Sequence, residues 1–296
     1  MANLKEIKTR IATVASTQQT TSAMKLISAS KLRKAQLILL KLRPFSDKLH
    51  RIMLQTVQDG ETNFHSPFLE IRKPEKVLLI VVTSNSGLCG AFNSVVLKTA
   101  MNHIKTKYLT NPDVKEISIL CFGKKAAEFF AKQPYNVVAN YVDFMAHLNY
   151  SECNQIVENL LQSYKNHTYD LVDMVSNRFV NAVVYETVVR QKLPYNIKEM
   201  AMQDLPPSDH YLYMPNKDSV IHNIIPMSIK VRTYMHLSES FTAEFAARMT
   251  SMHKATENAI QLQKELKLRY NKARQAAITN EIIEITNGAN ALRMGN

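Results

Sequence analysis

A long stretch without helix-breaking residues constrains this chain more than any other feature. Residues 227–287 contain neither glycine nor proline, and their apolar side chains recur at steps of three and four residues. This period predicts one α-helix, about 90 Å long at about 1.5 Å per residue. Residues 1–43 show the same period and predict a second long helix. Because a compact domain of the intervening residues is only about 40 Å across, at least half of each helix needs cover from elsewhere, and first from the other helix.

Each terminal helix carries a seven-residue repeat along one side. The N-terminal repeat runs through Leu4, Ile7, Ile11, Val14, Gln18, Thr21, Lys25, Ser28, Leu32, Ala35, Leu39 and Leu42. The C-terminal repeat runs through Phe245, Met249, Met252, Thr256, Ala259, Gln263, Leu266, Tyr270, Ala273 and Ala277. An obligate leucine zipper has long apolar residues at nearly every such position, whereas small and polar residues interrupt both repeats here. We therefore predict an antiparallel coiled coil that the central domain holds firmly and that is weaker far from it. An ordinary helical hairpin packed on a larger core is the alternative.

Prolines and glycines predict where the helices end. Pro44 should bend or interrupt the first helix, which then resumes and stops near Gly60. Gly288 should end the last helix. Residues 194–226 hold five of the ten prolines and are expected to form a connecting loop with one short helix before Pro226.

The central residues alternate between strand and helix patterns. The predicted order is strand 77–83, helix 92–108, strand 117–123, helix 124–133, helix 151–165 and strands 169–177 and 181–191, the last two joined by Arg178 and Phe179. We predict an α/β fold class, in which an antiparallel coiled coil of long N- and C-terminal helices accompanies a central Rossmann-like α/β sandwich of four or five strands. The expected domains are residues 1–58, 59–210 and 211–296.

The positive charge of the chain belongs to the terminal helices. Residues 1–58 carry 11 Lys and Arg against 2 acids, and residues 227–296 carry 10 against 6, whereas residues 59–226 carry 16 against 17. A basic helix attracts an acidic partner, which is nucleic acid, anionic lipid or an acidic protein surface. A solvated helix face accounts for the charge equally well.

No motif points to catalysis, a cofactor or a metal. The segment SNSGLCGAFN, residues 84–93, lacks the GxxxxGK[ST] spacing and any Lys or Arg, so its glycines are expected to serve a tight turn. The nine histidines show no metal-ligand spacing, and the three cysteines form no CxxC pair, which suits a reducing compartment. We expect Cys89 to be a structural thiol. No apolar run is long enough to span a membrane, and the N-terminus lacks the features of a signal peptide.

Several motifs resemble the γ subunit of F-type ATP synthase. The family's C-terminal signature is met by Ile278, Thr279, Glu281, Glu284, Gly288 and Ala289. Further matches are residues 5–36, the turn GLCGAFN, residues 177–189 and residues 246–259. These matches follow one another in the family's order over essentially the whole length.

The resemblance implies a role without chemistry of its own. In that family the terminal helices form an axle inside a ring of three α and three β subunits, and the α/β domain is a foot that contacts the ε subunit and the membrane ring of c subunits. It implies a rotor, one copy per complex, that couples proton flow to ATP synthesis or hydrolysis and binds no nucleic acid. The implied location is peripheral, on the cytoplasmic face of a bacterial inner membrane or the matrix side of the mitochondrial inner membrane.

The resemblance also implies contact residues. Six helix residues match positions that face the β subunits: Arg274, Gln275, Thr279, Met24, Lys25 and Arg248. The turn residues Gly87, Leu88 and Gly90 match a segment of the foot. The family usually has an acid and an arginine before this turn and a second glycine at position 91, and both are missing here, which concerns the foot contacts and not the fold. The redox-regulated cysteine insertion of photosynthetic relatives is absent as well, so thiol switching is not expected.

Two other function classes compete with the rotor. A basic coiled-coil nucleic-acid-binding protein would show duplex affinity that falls steeply with salt. Against it, the helices lack interleaved aromatic residues and any recognised reading module. A small α/β enzyme with helical arms would need a convergent catalytic set, which the sequence does not offer.

Overall fold

The computed structural model describes residues 4–58, 66–195, 211–214 and 216–294. In chain order the elements are α1 (Leu4–Gln58), β1 (Lys76–Val82), α2 (Phe92–His103), which continues as one π-helical turn (Ile104–Tyr108), β2 (Glu116–Phe122), α3 (Lys124–Phe130), β3 (Asn136–Tyr141), α4 (Tyr150–Lys165), β4 (Leu171–Phe179), β5 (Tyr185–Leu193) and α5 (Lys217–Met294). The helix predicted over residues 227–287 is confirmed as part of one continuous helix of 78 residues.

The elements belong to two compact units. One is made of Met1–Ser28 together with Met249–Asn296, and the other is Ala29–Arg248. We refer to them as the terminal unit and the central unit. The helices α1 and α5 each contribute one part to the terminal unit and one part to the central unit.

The central unit is built on a five-stranded sheet with the order β3-β2-β1-β4-β5. The first four strands are parallel, and β5 pairs antiparallel with β4. From Val77 to Val82 every residue of the middle strand β1 is buried, as the apolar run predicted. The predicted Rossmann-like α/β fold with its terminal helices is confirmed.

Helices cover both faces of this sheet. On one face, side chains of α2 and α3, such as Val96, Ala100 and Phe130, form a hydrophobic cluster with the strands. On the other face, α4 and the parts of α1 and α5 that belong to the central unit bury residues such as Met53 and Leu237. Burial of each such side chain contributes about 1.5–3 kcal/mol, so these two layers supply most of the stability of the central unit.

Ion pairs connect α1 and α5 to the sheet within the central unit. The Arg43 Nη2 atom lies 2.7 Å from Glu239 Oε1 on α5 and donates a hydrogen bond of 2.5 Å to the Phe179 carbonyl at the end of β4. Arg190 on β5 lies 3.5 Å from the other oxygen of Glu239. Since the Glu239 side chain is buried, this ion pair fixes the register of the two helices against the strands.

The terminal unit is an antiparallel helix pair. The Oγ1 atoms of Thr21 and Thr256 are 2.9 Å apart, and Lys25 Nζ donates to His253 Nδ1 at 3.2 Å. The residues of the two seven-residue repeats form the seam of this pair. Every seam residue from Leu4 to Ser28 is buried or half-buried, and so is every one from Met249 to Ala273. The predicted seven-residue repeats are thereby confirmed as far as Ala273, whereas Ala277 is exposed.

Three predicted helix breaks are wrong. The helix α1 continues through Pro44, whose ring lies on the exposed side, because buried residues such as Leu39 and Met53 hold the helix before and after it. Pro226 lies inside α5, and the short helix expected before it is the beginning of α5 itself. Gly288 also lies inside α5 and has no left-handed backbone, so it does not act as a helix cap.

Other predicted boundaries need smaller corrections. Arg178 and Phe179 belong to β4, and the chain reverses after them, where Asn181 Oδ1 accepts hydrogen bonds from the backbone N–H groups of Val183 and Val184. The strand β3 was not predicted, because its sequence NVVANY is short and only half buried. The expected end of α1 at Gly60 and residues 196–210 and 215 of the expected loop lie outside the described residues.

A buried carboxylate ties the end of α2 to the sheet. Asp173 on β4 accepts hydrogen bonds at Oδ2 from Tyr108 Oη at 2.7 Å, His103 Nε2 at 2.8 Å and Lys107 Nζ at 2.9 Å. The π-helical turn brings both Lys107 and Tyr108 to the carboxylate, which successive residues of an α-helix do less readily. Burial alone raises the pKa of Asp173, but these hydrogen bonds and the Lys107 charge outweigh it and hold the pKa below its usual value.

We predict that Asp173→Asn lowers the free energy of unfolding by about 3 kcal/mol, because it leaves the donors around a buried carboxylate without their charged partner. Urea unfolding measures this loss, and Asp113→Asn at an exposed position should change stability by less than about 0.5 kcal/mol. Since the folded-state pKa is depressed, the stabilisation is present above the usual pKa of 3.8 and is lost as the pH falls through the folded value. A difference between wild type and variant that stayed constant down to pH 2 would contradict this account.

Candidate partner-binding site

The segment between β1 and α2, residues 84–93, is a rigid polar turn, called the turn segment below. Ser84 Oγ donates to the Ser86 carbonyl at 2.7 Å, and Asn93 Oδ1 accepts from the Ser84 backbone N–H at 2.9 Å. Asn93 Nδ2 donates to Ser84 Oγ at 2.8 Å and to Cys89 Sγ at 3.3 Å. These bonds satisfy the interior of the turn segment, so its fold does not depend on a bound phosphate.

Leu88 stands at the outside of the turn segment in an unfavourable backbone conformation. Its φ of 63° is left-handed, a region that residues with a Cβ rarely adopt, and 63% of the residue is exposed. Gly90 has a similar φ of 61°, where glycine has no steric penalty. A strained and exposed leucine of this kind is typical of a contact site held in place by its surroundings.

Arg248 of α5 holds the turn segment from the inside. Its Nη2 atom donates to Ser86 Oγ at 2.9 Å, to the Ser86 carbonyl at 3.1 Å and to the Gly87 carbonyl at 3.4 Å. Its Nη1 atom donates to Glu244 Oε1 at 2.5 Å. Both side chains of the Glu244–Arg248 pair are 8% exposed. Burial raises the pKa of Glu244, although the Arg248 charge beside it acts in the opposite direction.

Of the predicted contact residues in the central unit, the structure therefore brings Arg248 and Gly87 into direct contact. Glu244 and Ser86 complete this group and were not predicted as site residues. The spacing of Glu244 and Arg248, four positions apart on one helix, was the signal that could have found the ion pair.

Apart from Leu88 and Gly90 of the turn segment, the other predicted residues lie in the terminal unit and do not form a single cluster. Met24 and Lys25 are half-buried, and Lys25 is paired with His253. Arg274, Gln275 and Thr279 are exposed, about 30 Å further along α5 than His253 at about 1.5 Å per residue. Thr279 Oγ1 donates to the Gln275 carbonyl at 2.9 Å, an ordinary bond within the helix.

The described residues of the terminal unit leave the end of α5 exposed. From Arg274 to Asn290, a stretch called the free end below, every residue is exposed. Four isoleucines of the free end are 48–66% exposed: Ile278, Ile282, Ile283 and Ile285. Apolar side chains exposed in succession along a helix mark a surface that a partner covers. We did not predict these isoleucines as site residues, although their positions one helical turn apart were visible in the sequence.

Neither a metal site nor a membrane-spanning helix is found among the described residues. Among them, no group of three or more His, Cys, Asp and Glu side chains could hold a metal ion. In the same residues, no helix is long and apolar enough to cross a membrane. Cys89, Cys121 and Cys153 are all buried free thiols, which agrees with the structural role expected of Cys89.

The amino-acid sequence is similar to those of ATP synthase gamma chains. The family described as ATP synthase matches residues 3–292. The ATP synthase gamma chain of Flavobacterium johnsoniae is 40% identical over 294 residues, which cover 99% of this chain and 99% of the relative. The ATP synthase gamma chain of Amoebophilus asiaticus is 39% identical over 292 residues, with the same coverage.

The fold is similar to chains in two mitochondrial ATP synthases. A chain of the Euglena gracilis enzyme, in a structure of OSCP, F1 and c-ring, aligns with a TM-score of 0.68 and 17% identity over 99% of this chain and 95% of that chain. A chain from the central stalk and c-ring of the Tetrahymena thermophila enzyme aligns with a TM-score of 0.57 and 23% identity over 80% of this chain and 99% of that chain. At these identities the likeness shows the shared fold.

We predict that native Cys121 and Cys153 react with iodoacetamide at least about 100-fold more slowly than in the urea-unfolded chain, and that native Cys89 also reacts more slowly than in the unfolded chain. Burial raises the pKa of Cys121 and of Cys153 to about 12 and also raises that of Cys89, so little thiolate forms at pH 8. Time-resolved labelling read by mass spectrometry measures the rates. Rapid native labelling of Cys89 would identify a reactive thiol and contradict its structural role.

Proposed function

Because the chain belongs to the ATP synthase gamma-chain family, we propose that it is the central-stalk rotor of an F-type ATP synthase. In this proposal it performs no catalysis itself and mechanically couples proton flow through a membrane ring of c subunits to ATP synthesis or hydrolysis at β subunits. The observation that carries the proposal is the free end. It belongs to one continuous helix of 78 residues and exposes four isoleucines after Arg274.

The free end suits a partner that surrounds a turning helix. The described residues of the terminal unit leave its isoleucines exposed, and a ring of α and β subunits would cover them from all sides. The charge of the helices favours an acidic surface, and Coulomb attraction falls off gradually with distance. Such an attraction persists while a rotor turns, whereas close packing would hold it in one orientation.

We propose that five of the predicted helix residues contact the β subunits. Arg274, Gln275 and Thr279 are exposed and free to meet a loop of a β subunit, which supports their assignment. Met24 and Lys25 are half-buried on the helix pair, so only part of each side chain is open to a partner.

The remaining partners and the location follow from the family. We propose that the central unit, with the turn residues Gly87, Leu88 and Gly90, is the foot that meets the ε subunit and the c-ring. One copy would be present in each complex, peripheral to the cytoplasmic face of a bacterial inner membrane. We also keep residues 1–58, 59–210 and 211–296 as the proposed functional division of the chain.

We predict that Arg274→Ala combined with Gln275→Ala weakens ATP synthesis coupled to proton flow in the assembled complex by about tenfold, because a charge-assisted contact of about 1.4 kcal/mol is lost. The isolated chain should unfold at the same urea concentration as wild type, since both residues are exposed. The measurements are ATP synthesis in energised membrane vesicles and urea unfolding of the chain.

The matched control is Gln261→Ala combined with Lys264→Ala. It removes the same charge and one amide from exposed positions where α5 is paired with α1. Coupled synthesis should remain at the wild-type level in this control. Wild-type synthesis in the Arg274 and Gln275 variant would remove that pair from the mechanism.

A further inference from the structure

The position of Arg248 inside the central unit differs from that of a residue that meets a partner. Its side chain is 8% exposed, and its two terminal nitrogens are engaged with Glu244, Ser86 and Gly87. Every group to which these two nitrogens are shown to donate belongs to this chain. The acidic residue that it meets is Glu244 of its own helix.

The turn segment needs the support that Arg248 supplies. Gly87 has no side chain to anchor it, and a Cβ placed there would meet nothing within 4 Å. The next residue, Leu88, is left-handed and largely exposed. A strained residue persists only where the surroundings over-determine its conformation. The carbonyl groups of Ser86 and Gly87, just before Leu88, are the groups that Arg248 binds.

We infer that Arg248 is a positioning residue that forms a clamp with Glu244 and holds Leu88 outward. It acts on the subunit that the turn segment meets only through that segment. Glu244 orients the guanidinium by its bond to Nη1, and Nη2 then meets both carbonyl groups at once. Because Arg248 lies on α5, the clamp connects the turn segment to that helix. This inference rests on the proposed rotor function as far as the effect on the partner is concerned, whereas the clamp itself is a property of the single chain.

The clamp can be tested first in the full chain without partners. Arg248→Gln should make amide hydrogen exchange in residues 84–93 roughly 10- to 100-fold faster, because the carbonyl groups lose a charged donor. Glu244→Gln should have an effect in the same direction, since the guanidinium loses its orienting partner. Arg269→Gln is the matched control at an exposed position of α5 and should leave this exchange unchanged. Unchanged exchange in Arg248→Gln would overturn the clamp.

The action through the turn segment requires the assembled complex. The readout is ATP-driven proton pumping divided by ATP hydrolysis in membrane vesicles. Arg248→Gln and Leu88→Ser should each lower this ratio several-fold, and the double variant should be no worse than the poorer single variant, because both remove the same contact. Effects that multiply in the double variant would overturn the inference in favour of direct contact by Arg248.

Arg248→Lys separates the clamp from a simple charge. Lysine keeps the positive charge but cannot span Glu244 and the two carbonyl groups with a planar fork. The clamp therefore predicts that the pumping ratio stays low in Arg248→Lys, and a ratio restored to wild type would overturn it. A wild-type chain that restores no proton pumping at all would instead overturn the proposed function, while the exchange experiment would still decide the clamp.

Discussion

Apolar side chains along one side of a long helix have to be removed from water, and the rest of this structure depends on how that requirement is met. In the terminal unit α1 and α5 meet it by pairing antiparallel along their seven-residue repeats. In the central unit the same two helices bury residues such as Met53 and Leu237 against the sheet. The two helices that cover one face of the sheet therefore also form the helix pair of the terminal unit.

The composition of the seam sets how firmly the terminal pair is held. Thr21 faces Thr256, and Lys25 faces His253, at positions where a leucine zipper would bury branched apolar side chains. Hydrogen bonds of this kind contribute about 1 kcal/mol each, less than a buried leucine contributes. The central unit uses a different device, since the buried Glu239 joins Arg43 of α1 to Arg190 of β5. Stiffness within each helix is thus combined with modest adhesion between the two.

The sequence predicts the features that local backbone geometry determines. It does not predict those that depend on packing or on the direction of a long side chain. The helix period and the strand β1 follow from the spacing of apolar residues, and the structure confirms both. Pro44 and Gly288 each disfavour a helix, but neither ends the helix that contains it. Helix propensity is weak compared with the interactions that continue a long helix on both sides of one residue. The position of Arg248 on α5 was clear, yet family likeness says nothing about which way a long side chain turns. Its inward direction depends on Glu244 and on carbonyl groups that lie more than 150 residues earlier.

The bareness of residues 274–290 has a consequence for how this chain evolves. Because their side chains are exposed in the part of the terminal unit that the structure describes, a substitution there changes folding stability very little. Selection at these positions then acts almost entirely through whatever molecule encloses them. Differences among homologues in this stretch would record changes in the enclosing surface, whereas differences at the paired threonines and leucines would record the needs of the chain itself.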